Sequence, residues 1–291
     1  MTSNPLYPFE SNFITFSHGQ LHYHYIDEGN SEKGCAVVML HGNPTWSFFY
    51  RNLILTLRGR HRCVVPDHMG CGLSDKPQDY PYTLAQHISN TESLLDRLEL
   101  KEVVLIVHDW GGAIGMGVAV RNPKRIKKLV IMNSAAFPSP RIPLRINICR
   151  IPILGDIAIR GLNAFSRAAL FMAVAHRERI TPEIAAGFLA PYDSYANRIA
   201  LLRFVQDIPM TPMHPTWPLI KNIEEGLQEL KNKPMLICWG MKDWCFNESF
   251  LKTWESKFPQ AEVFRIEDAA HYLLEDAHDR IAIRIQQFLS V

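Results

Sequence analysis

Asp109 stands at the end of an apolar run. In VLIVHDWGGAIG (104–115) the chain passes from aliphatic residues to an acid, an indole and two glycines within a few positions. A sharp strand–turn–helix lifts one side chain into the open, and small residues such as Gly111 and Gly112 let the helix pack close to the strand. A carboxylate held there is a candidate nucleophile. Taken alone, an aspartate before a helix reads equally well as an N-cap, and two further stretches decide against that. MLHGNPTWSFFYRNLI (39–54) places His41-Gly42-Asn43 after a second apolar run, so that the backbone amides of Asn43 and Trp110 can face Asp109 as an oxyanion hole. FRIEDAAHYLLED (264–276) puts His271 just past another apolar run, at the head of a helix, where it can act as a base. CWGMKDWCF (238–246) offers Asp243 to orient that imidazole. Glu267 and Asp268 are the rival acids, and their position before a helix suits capping better.

Short apolar segments carry these residues. AVVML (36–40), RCVVP (62–66), VVLIV (103–107), KLVIM (128–132), MLICW (235–239) and EVFRI (262–266) are almost continuously apolar. A parallel sheet covered on both faces requires that pattern. TLAQHISNTESLLDRL and GAIGMGVAVRNP have helical periodicity, the second stopped at Asn122-Pro123. FITFSHGQLHYHYIDEG predicts an antiparallel hairpin at one edge. Alternation of strands and helices predicts an α/β architecture, a mostly parallel, doubly wound, eight-stranded sheet. The rhythm breaks between Phe137 and Trp217, a stretch with several prolines and no strand-like run. This predicts a helical cap inserted after strand six, residues 138–217, on a core formed by 1–137 and 218–291. Ligands of open α/β sheets bind at the sheet edge that such a cap covers.

Bulk properties narrow the partners. The 291 residues are 47% hydrophobic and 21% charged, with a net charge of +2. That argues for a soluble enzyme-sized core and against nucleic acid. No stretch approaches the ~18 consecutive apolar residues of a membrane helix, and MTSNPLYPFESNF lacks a secretory signal. The six cysteines are scattered without a CxxC pair, as expected of free thiols in a reducing, cytoplasmic setting. No metal or cofactor is expected.

Together HGNPTWSFFYRNL, PDHMGCGLSDKP, HDWGG and YDSYANRIALLRFVQDIP resemble the α/β-hydrolase superfamily, and within it the haloalkane dehalogenases. The resemblance covers essentially the whole chain. It implies Asp109 as nucleophile, His271 as base, Asp243 as acid, and Trp110 and Asn43 as donors to a departing halide. Asn133 stands where one branch of the family has Glu, so the pattern is similar to the third branch. That branch also resembles β-lactone decarboxylases of long-chain olefin biosynthesis. On this reading Asp109 displaces halide from a small apolar substrate, and His271 activates water to hydrolyse the resulting ester. Decarboxylation of a β-lactone at the same site is the alternative. An epoxide hydrolase would need two cap tyrosines as acids, with Tyr192 and Tyr195 the candidates. A non-catalytic receptor on this fold would lack part of the Asp-His-Asp set.

The cap has its own signature. Between 138 and 180 seven arginines face only Asp156 and Glu178, a net +5, while the rest of the chain is −3. Arginines interleaved with IPL, INI and IPILGDIAI are read either as the wet side of a simple lid or as a docking surface for a partner enzyme, a second copy or an anionic membrane.

Overall fold

The computed structural model describes residues 5–16, 20–30 and 35–290; residues 1–4 and 17–19, which belong to the N-terminal and hairpin stretches above, lie outside them. The apolar runs become the strands β1 (Asn12–Phe16), β2 (Leu21–Glu28), β3 (Ala36–Leu40), β4 (Arg62–Pro66), β5 (Val103–Asp109), β6 (Ile126–Ser134), β7 (Met235–Gly240) and β8 (Glu262–Ile266). They form one sheet in the order β1-β2-β4-β3-β5-β6-β7-β8. β1 and β2 pair antiparallel, β2 joins β4 antiparallel, and the remaining pairs are parallel. This is the α/β-hydrolase arrangement.

Two central strands run longer than their apolar stretches suggest. β5 continues through His108 to Asp109, and β6 extends to Asn133 and Ser134, all of them buried. Their polar side chains are tolerated because each is bonded inside the sheet edge, as described below.

Helices α1 (Arg51–Leu57), α2 (Leu84–Arg97) and α3 (Trp110–Arg121) belong to the first half of the core. Apolar positions three and four apart make α2 amphipathic, and Thr83 caps it by accepting from the Gln86 amide. α3 is different: it is buried almost throughout, and its glycines bring it against the strands. A Cβ at Gly112 would collide with the Ser134 hydroxyl.

The cap follows β6 and consists of short pieces: α4 (Leu144–Cys149), α5 (Pro152–Gly155), a π-helical turn at 156–161, α6 (Ala164–Met172), α7 (Pro182–Leu189) and α8 (Ile199–Gln206). The chain returns to the core through α9 (Trp217–Gly226), α10 (Glu248–Lys257), α11 (Leu273–Asp276) and α12 (His278–Ser290). No helix among the described residues is long and apolar enough to cross a membrane. All six cysteines are unpaired.

Candidate active site

The turn that joins β5 to α3 is forced. Asp109 has φ 51° and ψ −125°, a conformation an L-residue rarely adopts, and its side chain makes no cap bond. The N-cap alternative is therefore absent from the structure: the carboxylate makes no capping bond to the first turn of the helix and meets the loop after β3 instead. The Ser134 hydroxyl of β6 donates to the Asp109 carbonyl at 2.5 Å, pinning the strained backbone from the side.

The loop after β3 closes over this carboxylate. The Asn43 amide donates to Asp109 Oδ1 at 2.7 Å, and the Trp110 amide also bonds the carboxylate. Only glycine fits at position 42, where a Cβ would strike the Asp109 side chain. The two amides expected to form an open oxyanion hole thus hold the resting carboxylate itself. Burial pushes Asp109 above the ordinary carboxylate range, while His271 and the two amides pull it back.

His271 lies in the loop after β8, with Nε2 3.7 Å from Asp109 Oδ2. Its Nδ1 meets Asp243 Oδ2 at 2.7 Å. Burial alone would lower the imidazole, but Asp243 and then Asp109 more than offset it, so His271 is raised overall. The Phe246 ring stacks on the imidazole, centroids 5.6 Å apart and planes 15° apart. A bond of 2.9 Å from His108 Nε2 fixes the His271 carbonyl. Glu267 and Asp268, the rival acids, are elsewhere: Glu267 is exposed, and half-buried Asp268 pairs with Arg280 of α12 at 2.7 Å rather than capping a helix.

Sequence reasoning missed the residues behind the acid. Asn133, the last residue but one of β6, has φ 28° and donates from Nδ2 to Asp243 Oδ2 at 2.9 Å. Its Oδ1 accepts from the Gly240 amide at 2.8 Å. The Cys245 and Phe246 amides donate to the other Asp243 oxygen at 2.7 and 3.1 Å. Asp243 accordingly keeps all its acceptors occupied and must present Oδ2 to the imidazole. Asp276 was missed as well. Its carboxylate accepts from the amides of Ala270 on the histidine loop and of Ala175 and His176 in the cap, all within 3.0 Å, clamping loop to cap. Neither residue belongs to a periodic pattern. For Asn133 the signals were a polar residue closing an apolar run and its place where one branch of the family has Glu; neither gave it a partner.

Asp109, His271, Trp110 and Asn43 line one cavity of about 340 Å³, within the range of small-molecule sites. Its remaining walls are mostly apolar and come from both layers, including Phe165 and Met172 of the cap and Ile220 and Phe250 of the core. Asp243 is buried behind His271. Asn43 spends one side-chain N–H on the Leu201 carbonyl at 3.1 Å, and its Oδ1 is buried without a partner. The Trp110 ring packs on Phe204, 5.3 Å between centroids. The two tyrosines an epoxide hydrolase would need are turned elsewhere: Tyr192 donates to the Thr45 carbonyl, and Tyr195 is on the surface, bonded to Asp156.

Comparison with known proteins agrees with this architecture. Residues 36–147 match the family model for the alpha/beta hydrolase fold. The chain is similar to a cis-3-alkyl-4-alkyloxetan-2-one decarboxylase of Shewanella oneidensis, 47% identical with 98% of this chain and 90% of that protein covered. It is also similar to haloalkane dehalogenase 2 of Mycobacterium tuberculosis, 33% identical with coverages of 96% and 95%. The crystal structure of a haloalkane dehalogenase from Bradyrhizobium elkani superposes with a TM-score of 0.87 over 97% of this chain and 98% of that one, at 22% identity.

Proposed function

Because the chain belongs to the haloalkane dehalogenase-like α/β hydrolases, the group that also contains the oxetanone decarboxylases, we propose that it is a β-lactone decarboxylase that converts cis-3,4-dialkyl oxetan-2-ones to alkenes. The observation that carries this reading is the whole-length likeness to proteins of that activity, 47% against 33% for the dehalogenases. Asp109 and a mostly apolar cavity suit the same substrate.

In this reading Asp109 Oδ2 attacks C4 of the ring from behind, and the C4–O bond breaks. The ring oxygen leaves as part of a new carboxylate on C3, which the N–H groups of Trp110 and Asn43 receive. The C3–carboxylate bond then breaks, its electron pair becomes the C3=C4 double bond, and the C4–Oδ2 bond returns its pair to Asp109. Carbon dioxide and an alkene leave. Attack with inversion followed by anti elimination keeps the two alkyl groups cis. No water or proton is consumed. Asp243 and Asn133 hold His271 beside the carboxylate, where its positive form steadies the charge on Asp109.

One observation favours a second reading, halide displacement. His271 Nε2 stands 3.7 Å from Asp109, a separation that leaves it free to activate a water against an ester on that carboxylate. Turnover in ¹⁸O-water separates the two. On a dialkyl β-lactone, alkene and carbon dioxide are expected in equal amounts with no label in the Asp109 peptide. Formation of a β-hydroxy acid, or label in Asp109, would overturn the decarboxylase reading. On 1-bromobutane, label in Asp109 with bromide release would establish dehalogenation.

A further inference from the structure

The helices that roof the cavity have a second apolar face. α4, α5, the turn at 156–161 and α6 pack on one another and on α8. Inward, Ile146, Cys149 and Phe165 line the cavity. Outward, the same segment holds eight of the fourteen large apolar side chains exposed anywhere among the described residues, all between 144 and 171. Leu144, Ile153 and Leu162 are 73%, 74% and 66% exposed. Single exposed leucines need no explanation, but a concentration of this kind in a folded protein does.

The charge around this face is as unusual as its apolarity. Of the seven arginines between 138 and 180, Arg160 alone among the described residues has a carboxylate within ion-pair distance. Outside the segment eight of twelve arginines do, including Arg51, Arg62 and Arg121. Arg177 lies over the exposed Phe171 ring, its guanidinium carbon 3.4 Å from the centroid. Arg141 and Arg145 are exposed and also line the cavity, so the cavity reaches the surface at the margin of this face.

We propose that the cap face docks on an anionic lipid bilayer, with Leu144, Ile153 and Leu162 entering the boundary between headgroups and acyl chains. The arginines meet lipid phosphate, for which their forked donors are suited. Charge selects this occupant over a second copy, because a symmetric pair would set two arginine-rich segments, each of net charge +5, against each other. The arrangement also places the cavity margin at the membrane, the phase in which an apolar substrate concentrates. Docking is a property of the surface, and it stands whichever carbon–oxygen or carbon–halogen bond the enzyme breaks.

The test is sedimentation of the full chain, without substrate, with vesicles of phosphatidylcholine containing about 30% phosphatidylglycerol or none. Binding to the anionic vesicles is expected to be at least about tenfold the stronger and to weaken as salt is raised. Ile153→Ser with Leu162→Ser, and separately Arg167→Gln with Arg177→Gln, are each expected to lower the bound fraction at least about fivefold with the circular dichroism unchanged. Absence of binding overturns the proposal, as does binding that ignores these substitutions. So does a concentration-dependent dimer that the apolar pair abolishes while vesicles stay unbound, which would assign the face to a second copy.

Discussion

The floor of the cavity and its roof treat water in opposite ways. In the floor most polar groups are buried and bonded, Asn43 Oδ1 excepted: Asp243 has three donors besides His271, and beneath the site Arg51 meets Glu275 through two bonds of 2.5 and 2.7 Å. In the roof apolar side chains stand in solvent, and of its guanidinium groups only that of Arg160 has a carboxylate partner among the described residues. A floor so connected cannot shift one member without leaving another unpaired, at about 1–3 kcal/mol for each orphaned group. A roof with few such commitments is free to change its outer surface. The difference teaches that chemistry is fixed in the sheet edge, while access and location are matters for the cap.

Substitution at Asp109 tests that division most severely. Asp109→Asn is expected to lower turnover of lactone and haloalkane alike by at least about 10⁴-fold, read by product formation with the circular dichroism unchanged. Residual turnover near the wild type would place the nucleophile elsewhere in the floor.

His271→Gln sharpens the comparison within the floor. Bromide release is expected to stop after one turnover, leaving an alkyl adduct on Asp109 visible by intact mass, because ester hydrolysis needs a base. Lactone decarboxylation is expected to continue within about tenfold of the wild type, since its intermediate expels itself. Equal loss of both activities would show that the two reactions share a base-dependent step.

Asn133→Ala removes a donor from Asp243 without touching substrate. A loss of about 10- to 100-fold in dehalogenation is expected, with lactone turnover affected less. The pH profile follows the same logic. His271 is raised above its ordinary ~6.5, so its neutral form, and with it haloalkane hydrolysis, is lost as pH falls through that raised value. Lactone opening needs ionised Asp109 but no neutral base, so its acid limb is expected at lower pH, though above the usual carboxylate ~3.9 because burial raises that group. Coincident limbs would contradict the two-route scheme.

The smallest effect belongs to the roof. Ile153→Ser is expected to change stability by no more than about 0.5 kcal/mol, whereas Leu129→Ala, at a fully buried position of β6, is expected to cost about 2–5 kcal/mol. Thermal or urea unfolding reads both. A large cost at Ile153 would mean that the roof is packed more tightly than its exposure implies.

The same contrast governs what could be read from the sequence. Strands buried on both faces are near-continuous apolar runs, so six of them and the edge hairpin were legible, as was the insertion after β6. The motif residues were legible because turn chemistry fixes their surroundings: Gly42 and Gly111 occur where a Cβ cannot. Asn133 and Asp276 were not, because each acts through partners more than a hundred residues away or across loops without period. The preference between halide and lactone was not legible either. Both reactions use the same carboxylate and the same donors, and the sequence reading placed halide first where the relatives favour the lactone.

The backbone of Asp109 has a further consequence, for how this protein can be improved. A side chain at φ 51° and ψ −125° is held against its preference, at a cost of about 1–3 kcal/mol, and its carboxylate is buried as well. Glycine takes that conformation freely. With Asp109 as the proposed nucleophile, Asp109→Gly is therefore expected to give a tougher but inert molecule, and libraries sorted by heat resistance alone are expected to enrich for dead variants at this position. On the proposed role of Asp109, thermostability and catalysis compete at one residue, and selection on one must be accompanied by selection on the other.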